Sequence, residues 1–250
     1  MTKVGMMQPA FLPWQGLFEL ILKSDKFIFS NDYQYCPKSH HTRNKLFVSK
    51  NQVDFYIIPV QKPGRVEAGL NEILIVEDSK WKEKLLRTFE FNYQKAPYYS
   101  EIIGGLQEII NSDLKTLAEM NIAIIKYLCK ILNIETTFLY SSDFSKETSS
   151  NSVRTQRVVE LFEWAGADEY LCAFGSFDYM KEDGYDYKKY PVIFQNYIPK
   201  LYTQIHSKEF VPYLSVLDAL FNIGGEQTLE LIKSGTEHWL TWDERDKFSN

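Results

Sequence analysis

The chain has 250 residues, 44% of them hydrophobic and 24% charged, which suits a soluble globular protein of one large domain or two small ones. A net charge of −5 argues against a nucleic-acid binder, which needs a basic face for phosphates, though not against a local basic patch. No apolar run reaches bilayer length, the N-terminus lacks signal-peptide features, and the three scattered cysteines fit neither a zinc spacing nor a disulfide framework, so a cytoplasmic protein without a membrane span is expected.

Residues 4–7 read as an apolar strand. Pro9 keeps Gln8 extended, Pro13 fixes a second φ, and Gly16 releases the chain into a short apolar helix over 17–22. Residues 26–29 form a second strand closing on Asn31 and Asp32. If the two strands are parallel neighbours in an open α/β sheet, Gln8, Asn31 and Asp32 mark the edge where ligands bind. The competing reading is a proline-stiffened core loop with Trp14 as packing.

The stretch 36–44 is a polar loop. His40 and His41 are adjacent, so on an extended chain they face opposite ways, and no third metal ligand lies at useful spacing; no metal site is expected. Arg43 and Asn44 are better suited to an anion or an amide. Residues 46–48 and 55–60 read as a hairpin around a turn at 49–53, Pro63-Gly64 as a loop, and 71–76 as another strand.

The middle is helical. Ser79 caps a helix through Trp81, Leu85 and Phe89; Pro97 opens a second over 98–110; Ser112 or Asp113 caps a third reaching Leu128, with Asn133 as its stop. This block, 79–133, reads as a helical subdomain inserted in a single domain of residues 1–250.

Residues 136–140 form a strand ending on Ser141-Ser142-Asp143, and 146–150 a polar loop. Asn151 or Ser152 caps a helix closed by Gly166. Arg154 and Arg157 lie in its first half, where cations oppose the helix dipole; either an anion sits there with Arg154, or both arginines reach solvent or a carboxylate. Residues 169–173 are a strand ending on Phe174-Gly175-Ser176, and 191–194 one more. An apolar helix over 212–222 carries Asp218 and stops at Gly224-Gly225; the carboxyl group is either a structural link or one with a raised pKa. A short helix over 228–232 and a polar tail with Trp239 and Trp242 follow. The fold expected is α/β, mostly parallel, with a site at the carboxyl edge. Aromatic residues, 15% of the chain, fit either a large core or a ring-lined cleft.

Long motifs carry a family resemblance. Gln8-Pro9-x-Phe11-Leu12-Pro13-Trp14-x-Gly16-x-Phe18, Asp32-x-Gln34-Tyr35 and Arg43-Asn44 open it; Trp81, Tyr93-x-Lys95-Ala96-Pro97-Tyr98, Ser141-Ser142 and Gly166-Ala167-x-x-Tyr170-Leu171 continue it. Phe210-Val211-Pro212-x-Leu214-Ser215-Val216-Leu217-Asp218-x-Leu220-Phe221-Asn222 closes it. The chain resembles the WbqC-like protein family over most of its length, departing at His40-His41-Thr42, at 151–155 and at 172–176.

The resemblance implies bacterial surface polysaccharide (O-antigen) synthesis and N-acyl or aminoacyl (glycyl-like) transfer to a nucleotide-linked amino sugar. The implied co-substrate is an acyl or aminoacyl thioester of a carrier protein or coenzyme A, with no bound cofactor. Asp32, His206 and Asp218 are then the catalytic candidates, the first two for taking the amine's proton. Gln8 and Asn44 would face the oxyanion, and Arg43 and Arg154 a diphosphate. Trp14, Tyr35 or Phe174 would stack on a ring, with Ser141 and Gly175 completing the substrate site. An acyl-enzyme on Cys36 or Cys172 lacks a His-Asp partner in the sequence. The rivals are a non-catalytic nucleotide-sugar or carrier-protein binding module and, more remotely, a nucleotidylyltransferase, whose phosphate-gripping histidines are missing.

Overall fold

A computed structural model describes residues 1–62, 64, 67–78 and 80–249, so Ser79 and Pro63, read above as a helix cap and part of a loop, lie outside the described residues. The chain runs β1 (Lys3–Met7), α1 (Gln15–Lys23), β2 (Lys26–Phe29), β3 (Arg43–Ser49), β4 (Gln52–Ile57), α2 (Lys80–Tyr93), α3 (Tyr99–Asn111) and α4 (Leu117–Ile131). It continues through β5 (Thr137–Tyr140), α5 (Ser141–Thr148), α6 (Arg154–Trp164), β6 (Glu169–Cys172), α7 (Phe177–Glu182), β7 (Val192–Phe194), α8 (Val216–Lys233) and α9 (Trp242–Asp246).

Five strands form one parallel sheet in the order β5-β2-β1-β6-β7, and β3 with β4 makes a separate antiparallel hairpin. Counted in chain order, the parallel strands lie 3-2-1-4-5. The chain therefore starts in the middle, builds outward to β5, and returns to the other side of β1 to build the second half. That is the arrangement of a doubly wound sheet, and its winding reverses between β1 and β6.

Side-chain alternation explains why both faces are covered. On β2, Phe27 and Phe29 point into the larger apolar cluster while Ile28 points into the smaller one; on β6, Leu171 enters the larger and Tyr170 and Cys172 the smaller. The larger cluster holds α1, α2, α3, α4 and α8, and the smaller holds α5, α6, α7 and α9. Burying a side chain such as Phe27 or Phe29 contributes about 1.5–3 kcal/mol each, so short strands suffice.

Several boundaries differ from the sequence reading. The stretch 71–76 is not a strand: Leu70–Glu72 is a 3-10 turn, and Leu74 and Ile75 make single bridges to Thr116 and Val60. The third helix starts after Thr116, whose hydroxyl accepts from the Glu119 N–H while Glu119 reaches back to the Thr116 N–H, a complete capping box. Ser141 begins α5 instead of a loop, and α6 starts after Val153 with no side-chain cap of its own. Gly224, at φ +77°, breaks α8 without ending it; glycine suits this left-handed backbone, and a Cβ there would stand 2.7 Å from the Tyr98 ring.

Candidate functional site

All five parallel strands deliver their carboxyl ends to one edge. From β5 outward these are Ser141, Asn31 with Asp32, Gln8, the 173–176 turn, and Gln195 with Asn196. Two hollows open where the winding reverses. The first, of about 400 Å³, is lined by Gln8, Ser30, Tyr33, Tyr170, Ser176 and Tyr179, with Met6, Met7, Arg154, Val158 and Ala173. The second, of about 430 Å³, is lined by Trp14, Gly16, Phe174, Gly175, Gln195 and Tyr197, with Met7, Ala173, Asn196, Ile198 and Tyr213. Met7 and Ala173 border both, so the hollows are two lobes of one cleft. A groove along α2 is lined by that helix alone and meets no strand end.

The first lobe is polar, and among its described lining residues only Arg154 carries a charge. Burial pushes the Tyr33 phenol up to about 12 and the Tyr170 and Tyr179 phenols higher still, so all three stay protonated at neutral pH. They offer hydroxyls and ring faces, a lining suited to a polyol or a heterocycle. The second lobe is aromatic: Trp14 meets Tyr197 edge-on at 5.1 Å between ring centroids and Tyr213 at 5.6 Å. The Trp14 ring lies over Gly16, where a Cβ would come within 2.4 Å of it. Trp14 also caps α1 without a side-chain bond, its carbonyl accepting from the Leu17 N–H at 3.2 Å.

The loop between β1 and α1 is held from behind. Asn121 on α4 donates to the carbonyls of both Pro9 (3.0 Å) and His41 (2.9 Å), and Asn44 donates to the Leu12 carbonyl at 2.7 Å. His41 Nε2 meets Gln8 Oε1 at 2.8 Å. Burial, aided by neighbouring His40, holds the His41 pKa down to about 4.

Asp32 lines neither lobe, though Tyr33, next to it in the chain, lines the first. Arg157 donates to it at 2.9 Å, and the hydroxyls of Ser141 and Ser145 donate to its two oxygens. Arg157 is 4% exposed and also donates to the Ser141 carbonyl. This is a largely buried ion pair in which Arg157 Nη2 is well partnered while Nη1 is buried without a hydrogen-bond partner, so removing either member would leave an uncompensated charge.

Residues 8–230 match the model of the WbqC-like protein family. The chain belongs to that family. It is also similar to Rv1507c of Mycobacterium tuberculosis, described as an uncharacterized protein: 31% identical over 228 residues, covering 90% of this chain and 96% of that one. No solved structure matches it. Among the described residues no helix is long and apolar enough to cross a membrane, and no three His, Cys, Asp or Glu side chains gather as metal ligands.

The long WbqC-like motifs fall into two groups in space. Gln8 and Trp14 line the cleft, as do Arg154 and Gly175 from the segments that depart from the family pattern, while Asp32 and Ser141, hydrogen-bonded to each other, line neither lobe. Asp218 lies apart from both lobes. It is fully buried in the first turn of α8 and accepts from Tyr93 (2.7 Å), Tyr202 (2.8 Å) and Gln204 (3.0 Å). Its place in a helix facing the core makes it a tie between α2, α8 and the irregular stretch 195–215. His206 serves the same tie: its ring contacts the Asn92 carbonyl and packs at 5.6 Å from Phe47. Neither lines the cleft, so the fold does not bring them together with Gln8 and Trp14.

Besides Ser141, which is fully buried against Asp32, three binding candidates also fall outside the cleft lining. Arg43 stacks on Phe55 at 4.5 Å within the hairpin, Tyr35 packs against the larger core, and Asn44 anchors the loop from beneath. Arg154 does border the cleft, but its charge is engaged: it donates to Glu182 (2.6 Å) and Asp183 (2.9 Å), and Asp183 also accepts from the Thr155 N–H. At the start of α6 Arg154 therefore reaches the protein's own carboxylates, the second of the two arrangements expected there. Cys172 is fully buried, with its thiol pushed up to about 11 by burial, so it carries little thiolate at neutral pH.

Sequence reasoning missed His41 as a partner of Gln8, Asn121 as an anchor, and Arg157 as the partner of Asp32. Asn121 left a signal: an amide in an otherwise apolar stripe of a buried helix needs bonding partners.

Proposed function

We propose that this WbqC-like protein works in surface polysaccharide synthesis as a single domain, residues 1–250 with the helices of 79–133 inserted. Its reaction is N-acyl or aminoacyl transfer to a nucleotide-linked amino sugar in the cytoplasm. The observation that carries this reading is the two-lobed cleft at the reversal point between β1 and β6, one lobe hydroxyl-lined and the other ring-lined. In this reading the sugar lies in the first lobe, and the nucleoside stacks in the second against Trp14 or Phe174, with phosphate oxygens near Gly175 and the start of α1.

The sugar amine attacks the carbonyl of an acyl or aminoacyl thioester, carried by coenzyme A or an acyl carrier protein. A C–N bond forms, the C–S bond breaks, the thiolate leaves, and the amine's proton passes to a base and then to that thiolate. Of the three residues expected to act catalytically, only Asp32 is next in the chain to a cleft-lining residue, Tyr33, and it is assigned the proton. The Gln8 amide is assigned the oxyanion.

The test is mass-spectrometric detection of N-acylated product from UDP-glucosamine with acetyl- and glycyl-thioesters. Turnover is expected, with Asp32→Asn lowering it about 100-fold, the low end of a lost general base, while the fold persists. Intact turnover in Asp32→Asn removes the assignment of the base. One observation favours a second reading, a nucleotide-sugar or carrier-protein binding module: Asp32 is already occupied by Arg157, Ser141 and Ser145. Binding of the nucleotide sugar without turnover, and with affinity indifferent to Asp32→Asn, would establish that module.

A further inference from the structure

We propose that His41 is a positioning residue: its Nε2–H fixes the side-chain amide of Gln8 so that the NH2 group donates into the first lobe. The geometry rests on three contacts. Gln8 Oε1 meets His41 Nε2 at 2.8 Å, so the oxygen of the amide is taken. Gln8 borders the lobe, and its amide nitrogen has no partner among the described residues. Asn121 clamps the carbonyls of Pro9 and His41 with one amide group, which ties the backbone of both partners to α4.

The tautomer follows from what each ring nitrogen faces. His41 Nδ1 is buried with no hydrogen-bond partner. A proton there would orphan a buried N–H and would set the Nε2 lone pair against those of Gln8 Oε1. A proton on Nε2 makes the bond to Gln8 and leaves only an unused acceptor at Nδ1, the cheaper vacancy. The depressed pKa keeps the ring neutral through the physiological range, so it holds a single tautomer.

The consequence is selectivity by atom type. A lobe whose one fixed amide presents N–H accepts a ligand oxygen, such as a carbonyl, hydroxyl or developing oxyanion, and disfavours a ligand N–H or ammonium at that point. An amide free to rotate would accept either. That the oxygen belongs to the acceptor sugar or the acyl group rests on the transferase reading; the orientation of the amide does not.

Two measurements separate these. The first is the long-range proton–nitrogen-15 spectrum of the His41 ring in the whole protein at pH 7. The expected result is a protonated Nε2 and a bare Nδ1; a protonated Nδ1 overturns the proposal. The second is the affinity for UDP-glucosamine of His41→Leu and His41→Gln, with thermal unfolding of each to confirm the fold. Loss of about tenfold is expected in His41→Leu, the size of one fixed hydrogen bond. Recovery to within about threefold is expected in His41→Gln, whose amide nitrogen reaches the place of Nε2 and donates as it does. Equal losses in the two variants, or none in either, overturn the proposal. If the wild-type protein ignores UDP-glucosamine, the sugar reading fails while the ring spectrum still decides the orientation.

Discussion

At the residue scale, identical residue types differ in role through burial and partners. Asp32 and Asp218 both sit in long family motifs, yet Asp32 stays partly exposed beside the cleft-lining Tyr33 and Asp218 is sealed in the core. Burial raises the Asp218 pKa above its ordinary value, despite three donors that favour the carboxylate. Between the unfolded value near 4 and the raised folded value, the native state binds more protons than the unfolded one. Stability from this group is therefore fully present below pH 4 and is lost as pH rises through the folded pKa. Asp218→Asn should cost about 1–3 kcal/mol through mismatched donors, and it should also remove this part of the pH slope. Chemical unfolding at pH 4 and pH 8 checks it: the wild type should lose more stability over that rise than the variant, whereas equal slopes would place no titration at Asp218. The sequence allowed both a structural link and a raised pKa at this position, and could not say that the two coincide, because the three donors come from segments far apart in the chain.

At the element scale, the loop and first turn from Gln8 to Gly16 show how the strand end becomes a binding wall. The prolines and Gly16 were legible as constraints, and both strands flanking the loop were placed nearly as found. The role of Gly16 was only partly legible. It does release the chain into α1, but it also gives the Trp14 ring room to lie flat over the helix start. Gly16→Ala would put a methyl group into that ring and force it toward the second lobe or toward Tyr197. A loss of about 1–3 kcal/mol is expected, the cost of overpacking, together with a changed tryptophan emission. Full wild-type stability and emission would mean that Trp14 moves without cost. Elements such as α7 and the 3-10 turn at Leu70–Glu72 were not legible, since short polar-flanked pieces carry too few apolar positions to show a period. The same holds for the N-terminal bond of α6, which Asp183 supplies from another helix.

At the scale of the whole molecule, the alternation of strands and helices was enough to expect a parallel sheet with a ligand edge, because each strand closed on polar residues. The strand order was not legible: nothing local tells the chain that β6 returns to the free side of β1 and not to the outside of β5. That choice puts Gln8 beside the 173–176 turn and draws the site away from Arg43, Asp218 and His206. It also gives the protein two hollows at the reversal point, each bordered by Met7 and Ala173. The central claim is that a nucleotide-linked amino sugar occupies this pair of lobes. Backbone hydrogen exchange of the intact chain with and without UDP-glucosamine tests it most directly. Slowed exchange is predicted in the segments 8–17, 30–33, 173–179 and 195–198, with the hairpin and the Asp218 tie unchanged; slowing confined to residues 43–57 or 202–222 would contradict it.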